Sequence, residues 1–252
     1  MKLPQAFLRR RADTHKGDYG RVLVLGGSIG LTGAPVLSAL GALRAGAGLV
    51  TVGVPEAIYF IVASKLTEAM VHPLPESPSG TLSVISIPKL LSLAAKADVL
   101  AVGPGLSQEP PARAFAHRLL SAVNLPIVLD ADGLNAFSGK DRAKLWKHQA
   151  PLVLTPHPGE MARLIGESIG TIQRNRKKIA SQVAKEMKAV VVLKGHQTVI
   201  ASPTSVAVNN TGNPGMASGG VGDVLTGIIA ALIGQGLDPF AAAKTGVTVH
   251  GL

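Results

Sequence analysis

The sequence predicts an α/β fold, a mostly parallel sheet with helices on both faces. Short runs of β-branched and aliphatic residues recur along the 252-residue chain, at intervals long enough for a helical crossover between them. Most of these runs are uniformly apolar rather than alternating, as strands covered on both faces require. Apolar residues make up 46% of the chain, yet it holds only one Trp, two Tyr and five Phe. The core therefore has to be built from Val, Leu, Ile and Ala.

The candidate strands are Arg21–Leu25, Leu49–Val54, Asp98–Gly103, Ile127–Asp130, Leu152–Thr155 and Val190–Leu193. Between the first two, Val36, Leu40, Leu43 and Ala47 keep helical spacing, with Thr32 as N-cap and Pro35 in the first turn. After Leu193 the pattern changes. Gln197–Ala201 and Ser205–Val208, separated by Ser202–Thr204, read as a C-terminal β-hairpin. Asn209–Gly222 is dense in Gly, Asn and Ser, and an apolar helix comes next, from about Asp223 to Gly234. A last helix begins near Pro239 and is still running at Leu252, so we expect the natural polypeptide to continue. With neither repeat nor linker, residues 1–252 are expected to form one domain.

Lys and Arg number 25 against 15 Asp and Glu, a formal net charge of +10. The basic residues cluster at Arg9–Arg11, Lys140–Lys147 and Arg174–Lys178. In the third cluster they fall off the stripe formed by Ile172, Ile179, Val183 and Met187, as on a solvated helix face. So few aromatics leave little for base stacking, and no nucleic-acid partner is expected. A positive field suits a small anionic ligand equally well. The absence of Cys excludes disulfides, a thiolate zinc site and a Cys nucleophile. No run approaches the roughly 18 apolar residues of a membrane span, and Met1–Arg11 lacks the apolar segment of a signal peptide. A cytoplasmic protein without a membrane partner is expected.

The chemistry lies in the loops at the strand exits. In order these are Gly26-Gly27-Ser28, Pro55-Glu56, Gly103-Pro104-Gly105, Asp130-Ala131-Asp132-Gly133, Thr155–Glu160 and Lys194-Gly195-His196. Open α/β sheets bind ligands outside the carboxyl ends of their strands, so this edge is the expected site of a polar small molecule.

Gly219-Gly220-Val221-Gly222-Asp223 opens the apolar helix. Glycines let backbone N–H groups crowd an oxyanion, and the helix start adds positive potential. An acid there suits a base that deprotonates a hydroxyl while the amides of Gly220, Val221 and Gly222 hold a transferring phosphoryl group. The motif equally allows Asp223 to be a helix cap. Lys194-Gly195-His196-Gln197-Thr198 suits a nucleotide phosphate, or an ordinary tight turn. His157, held between two prolines, is a candidate hydrogen-bond partner for a ligand, and without Cys or a suitably spaced second His zinc is not expected. Asp130, Asp132 and Glu160 suit Mg2+ held through water, although Asp132 also suits turn chemistry. Neither a Walker A sequence nor G-x-G-x-x-G is present. Gly26–Gly30 matches G-x-S-x-G, with Ser28, Asp130 and His157 in the chain order of a hydrolase triad. Its context argues against an esterase, because Leu31–Pro35 intervene before the helical stripe.

The Gly-x-Gly-Asp helix start after a parallel sheet resembles the ribokinase-like three-layer α/β/α fold. Within it the chain is similar to the ADP-dependent NAD(P)H-hydrate dehydratases. The segments that carry the likeness are Lys16–Gly20, Val24–Ser28, Arg44–Gly48, Gly103–Gly105, Asp130–Asn135, Thr155–Glu160, Lys194–Gln197 and Gly212–Asp223. The resemblance implies repair of hydrated NADH and NADPH: the ring hydroxyl is phosphorylated by ADP, with Mg2+, and phosphate is eliminated. It implies Asp223 as the base at the substrate hydroxyl, Gly222 and its neighbours around the phosphoryl group, and Lys194, Gly195, His196, Gln197 and Thr198 around the adenine nucleotide. Ala34, Gly105 and His157 would touch the hydrated dinucleotide. It also implies a homotetramer. Many relatives carry an N-terminal epimerase domain, for which Met1–Arg21 is too short, so specificity for one hydrate epimer is expected. The alternative is a vitamin-precursor kinase of the same fold, of the hydroxymethylpyrimidine or hydroxyethylthiazole type. Such kinases tend to carry Asn where His157 stands.

Overall fold

The computed structural model describes residue 10 and residues 12–252. The reading of Met1–Arg11 as no signal peptide, and the Arg9–Arg11 cluster apart from Arg10, lie outside them. Nine strands form one sheet: β1 (Arg21–Leu25), β2 (Leu49–Pro55), β3 (Met70–Leu74), β4 (Val99–Val102), β5 (Ile127–Leu129), β6 (Leu152–Leu154), β7 (Val190–Leu193), β8 (Val199–Ala201) and β9 (Val206–Val208). Their order is β3-β2-β1-β4-β5-β6-β7-β8-β9. The first seven run parallel, and β8 and β9 add as the antiparallel hairpin the sequence predicts.

The uniform apolarity of the strands reflects two cores. On β1, Leu23 and Leu25 face one layer, Val22 and Val24 the other. The first layer holds α3 (Ile87–Ala94), α4 (Pro110–Ala122), α5 (Ala131–Asn135), α6 (Pro158–Ile165), α7 (Ile169–Arg174) and α8 (Arg176–Met187). The second holds α1 (Gly33–Arg44), α2 (Tyr59–Ala63), α9 (Val221–Gly234) and α10 (Pro239–His250). This is a three-layer α/β/α sandwich. The chain reverses winding direction between β1 and β4, which opens the sheet edge for a ligand.

The expected strands are all present, most of them a residue or so shorter at the ends. Edge strand β3 is not among the expected strands; it contains Pro73, whose missing N–H is tolerated at an edge. Helix α9 starts at Val221 rather than Asp223, with Gly220 as its N-cap. That correction moves Asp223 into the first turn, so it is not the helix cap.

Candidate active site

The strand exits meet through backbone. Gly27 N–H donates to Pro104 O at 2.9 Å across the reversal between β1 and β4, and Lys194 N–H donates to Pro156 O at 2.8 Å between the β6 and β7 exits. Gly105 has φ +68, and a Cβ there would stand 2.8 Å from Leu31 O and 3.1 Å from the Ala34 Cβ. The start of α1 can therefore lie against the β4 loop only because residue 105 is glycine. One turn further along α1, Ser38 Oγ donates to the Asp223 carbonyl at 2.9 Å. Helix α1 thus joins Ala34, Gly105 and the first turn of α9, three places the sequence separates widely.

Beneath that turn lies a buried polar cluster. Lys194 Nζ donates to Asp130 Oδ1 at 2.7 Å and lies 3.7 Å from Glu160 Oε2. The Thr226 hydroxyl donates to Asp130 Oδ2 at 2.8 Å. A Cβ on Gly222 would stand 3.2 Å from Lys194 Nζ, so the α9 start sits directly on the ammonium. Burial alone would depress the Lys194 pKa, but Asp130 and Glu160 outweigh it and the net direction is up. Burial first, and the Asp130 charge second, push Asp223 up to about 6 against the pull of Lys194. Glu160 is raised by burial and then by Asp130, opposed by Lys194. The Asp223 side chain accepts no hydrogen bond from protein among the described residues. A carboxylate that is partly desolvated, unengaged and raised toward neutrality is suited to take up a proton.

His157 does something the sequence reading missed. Its Nδ1 accepts the Gly159 and Glu160 amides at 3.0 and 3.2 Å, while Glu160 Oε2 accepts the His157 amide at 2.7 Å. This is a capping box closed by histidine, and its signal was the His-x-x-Glu spacing. With Nδ1 accepting, the ring is neutral with its proton on Nε2, 3.3 Å from Glu160 Oε1. Burial, then Lys194 and Arg163, lower its pKa to match. His250, also missed, approaches Val221 O with Nε2 at 2.9 Å, and the carbonyl partner makes that nitrogen the donor. It ties the end of α10 to the start of α9. Nothing in the sequence marks it.

Asp132 lies in α5 and accepts the amide of Ser107, in the loop after β4, at 3.0 Å, a contact between two strand exits rather than a local turn. Both oxygens of Asp130 are engaged by Lys194 and Thr226, and Glu160 faces His157 and Lys194. The residues present therefore do not fit Mg2+ held on Asp130 and Glu160 through water: an ammonium stands where that cation was expected. The hydrolase-like pattern dissolves, because buried Ser28 donates to Gly105 O at 2.9 Å and Asp130 faces Lys194 rather than His157.

Beyond β7, Gly195, His196 and Gln197 form an exposed lip, and Thr198 Oγ1 donates back to Gly195 O at 2.9 Å. Lys194 alone of this segment turns inward. It reaches the α9 start, beside Gly222.

Sheet order, hairpin and glycine-built helix start define the class: a ribokinase-like α/β protein. A family model described as NAD(P)H-hydrate dehydratase matches residues 22–252, and the chain belongs to that family. It is 54% identical over 244 residues to the bifunctional NAD(P)H-hydrate repair enzyme Nnr of Moorella thermoacetica, covering 96% of this chain and 46% of that protein. The chain thus spans about half the length of the bifunctional relatives it matches. It is 39% identical to the ADP-dependent (S)-NAD(P)H-hydrate dehydratase of Neisseria meningitidis, covering all of this chain and 81% of that one. The Bacillus subtilis ADP/ATP-dependent NAD(P)H-hydrate dehydratase, co-crystallised with ATP and Mg2+, superposes with a TM-score of 0.80 at 34% identity, covering 96% of this chain and 82% of that one.

Proposed function

We propose that this chain dehydrates hydrated NADH and NADPH at the expense of ADP, returning the reduced cofactors, AMP and phosphate. The observation that carries the proposal is the Asp223 carboxylate, unengaged and raised to about 6, in the first turn of a helix whose opening residues are glycine-rich. In this reading Asp223 takes the proton of the ring hydroxyl as its oxygen bonds to the terminal phosphorus of ADP and the bond to AMP breaks. The amides of Gly220, Val221 and Gly222 hold the charge spread over the transferring group, with the Lys194 ammonium behind them. Hydroxide leaves poorly and phosphate leaves well. The ring nitrogen lone pair expels the phosphate, and loss of a neighbouring ring proton restores the dihydronicotinamide. Lys194–Thr198 hold the nucleotide, and Ala34, Gly105 and His157 face the hydrated dinucleotide. No step is routed through Mg2+.

The family match favours this reading over the vitamin-precursor kinase, which shares the Asp223 chemistry. No helix among the described residues is long and apolar enough to cross a membrane; we propose a cytoplasmic homotetramer with no nucleic-acid partner. The test is recovery of dihydronicotinamide absorbance when purified protein meets hydrated NADH with ADP, with ATP and with neither. Recovery that requires a nucleotide supports the proposal. No recovery with either, in protein that binds ADP, overturns it in favour of the kinase.

A further inference from the structure

Arg176 stands outside everything assigned so far. It opens α8 within a run of basic residues that the sequence consigns to solvent. Its guanidinium instead turns in against the exit of β7. Nη2 donates to the carbonyls of Leu193 at 2.8 Å and Lys194 at 3.3 Å, and Nη1 donates to Gln173 Oε1 at 3.0 Å. Nε is buried with no acceptor among the described residues. Gly195 has φ +132, which favours glycine, and a Cβ there would stand 3.1 Å from Nη1 and press on the guanidinium. Burial disfavours the guanidinium charge, a cost that a merely solvated arginine would not bear.

Two consecutive carbonyls at the end of a strand are thus fixed from the α8 side. Just beyond them, the amides of Gly195, His196 and Gln197 donate to no protein acceptor among the described residues, and all three residues are exposed. We infer that Arg176 is a positioning residue for the nucleotide, holding residues 194–198 in the conformation that presents the free amides of Gly195, His196 and Gln197 to its phosphates. The inference rests on the nucleotide reading of that loop. Arg176 makes no contact with Asp223 or the α9 start, so its effect falls on nucleotide binding rather than on the chemical step.

The test compares wild type with Arg176→Gln and Arg176→Lys by calorimetric titration with ADP, and by steady-state kinetics with ADP and hydrated NADH varied separately. Arg176→Gln is expected to raise both the Kd and the KM for ADP about tenfold, while kcat falls less than about threefold and the KM for the hydrate holds. Arg176→Lys falls between, because one ammonium cannot span two carbonyls as a guanidinium fork does. Gly195→Ala, which presses on the same contact from the loop side, is expected to raise the ADP Kd likewise. An unchanged ADP Kd in folded Arg176→Gln overturns the inference, as does a loss confined to kcat. If wild type binds ADP but does not repair the hydrate, the proposed function fails while the Kd ratio still decides the role of Arg176. If wild type binds neither ADP nor ATP, both fail.

Discussion

Replacing Asp223 by Asn exchanges turnover for stability. The carboxyl titrates near 3.8 in an unfolded chain and near 6 in the folded one. Below about pH 4 both states hold the proton, and the group has no effect on stability. Between the two values the folded state keeps a proton that the unfolded chain has released, so rising pH destabilises the fold. Above about pH 6 the loss is complete. A shift of this size is worth at most about 3 kcal/mol, and the partial exposure of the side chain cuts that to about 1–1.5 kcal/mol. Asn cannot ionise and recovers this amount. Urea denaturation at pH 8 should show the variant more stable by about 1 kcal/mol, or about 2–4 °C in melting temperature, with a smaller gain at pH 5. Turnover should fall about 10²–10⁴-fold with the general base gone, while ADP binds as before. A variant no more stable than wild type at pH 8 refutes the burial-and-repulsion argument. Retained turnover removes Asp223 from the mechanism.

Asp130→Asn removes the charge that repels Asp223 and the partner that holds Lys194. The acid limb of kcat/KM, expected near pH 6 in wild type, should move to lower pH, and urea titration should show a loss of about 3–5 kcal/mol as the ammonium is left with Glu160 at 3.7 Å. His157→Ala strips the α6 cap and should cost about 1 kcal/mol in the same assay. His157→Asn, which can accept the same two amides, should restore most of that stability while the KM for the hydrate stays raised. Gly105→Ala forces a side chain onto Leu31 O at φ +68 and should cost about 1–3 kcal/mol. In kinetics it should raise the KM for the hydrate and leave the ADP Kd unchanged.

The sequence made legible what a strand or helix carries within a few residues. Uniformly apolar runs announced buried parallel strands, and glycine beside an acid announced the start of α9, though two residues late. The motif therefore left a helix cap open as an alternative for Asp223, which lies within the first turn. The features that stayed hidden depend on tertiary register. Lys194 and Asp130 lie 64 positions apart and meet because β5 and β7 end at one level beneath α9. No local pattern says that an ammonium, rather than a hydrated cation, will sit between Asp130 and Glu160. Arg176 was hidden differently. Among Arg174, Arg176, Lys177 and Lys178 it alone turns toward the sheet, and composition cannot single out one base in such a run. The His157 cap was within reach, because His-x-x-Glu repeats the geometry of Ser-x-x-Glu with a ring nitrogen as acceptor.

The charge of the molecule and the charge of its cleft run in opposite directions. The chain carries +10 overall, yet Asp130, Glu160 and Asp223 face Lys194 as their principal cation. Burial is the first cause that raises Asp223 and Glu160, and the Asp130 charge adds to it at both. In the proposed reaction an anionic phosphoryl group would add to the local excess of negative charge, and the positive start of α9 with Lys194 lies where it can oppose that. The proton matters as much. When Asp223 takes it from the substrate hydroxyl, one of the crowded carboxylates becomes neutral in the same step that transfers the phosphoryl group. Electrostatic strain among the carboxylates therefore favours the forward proton transfer, and a site with Asp130 neutralised would lose that bias even with Asp223 in place.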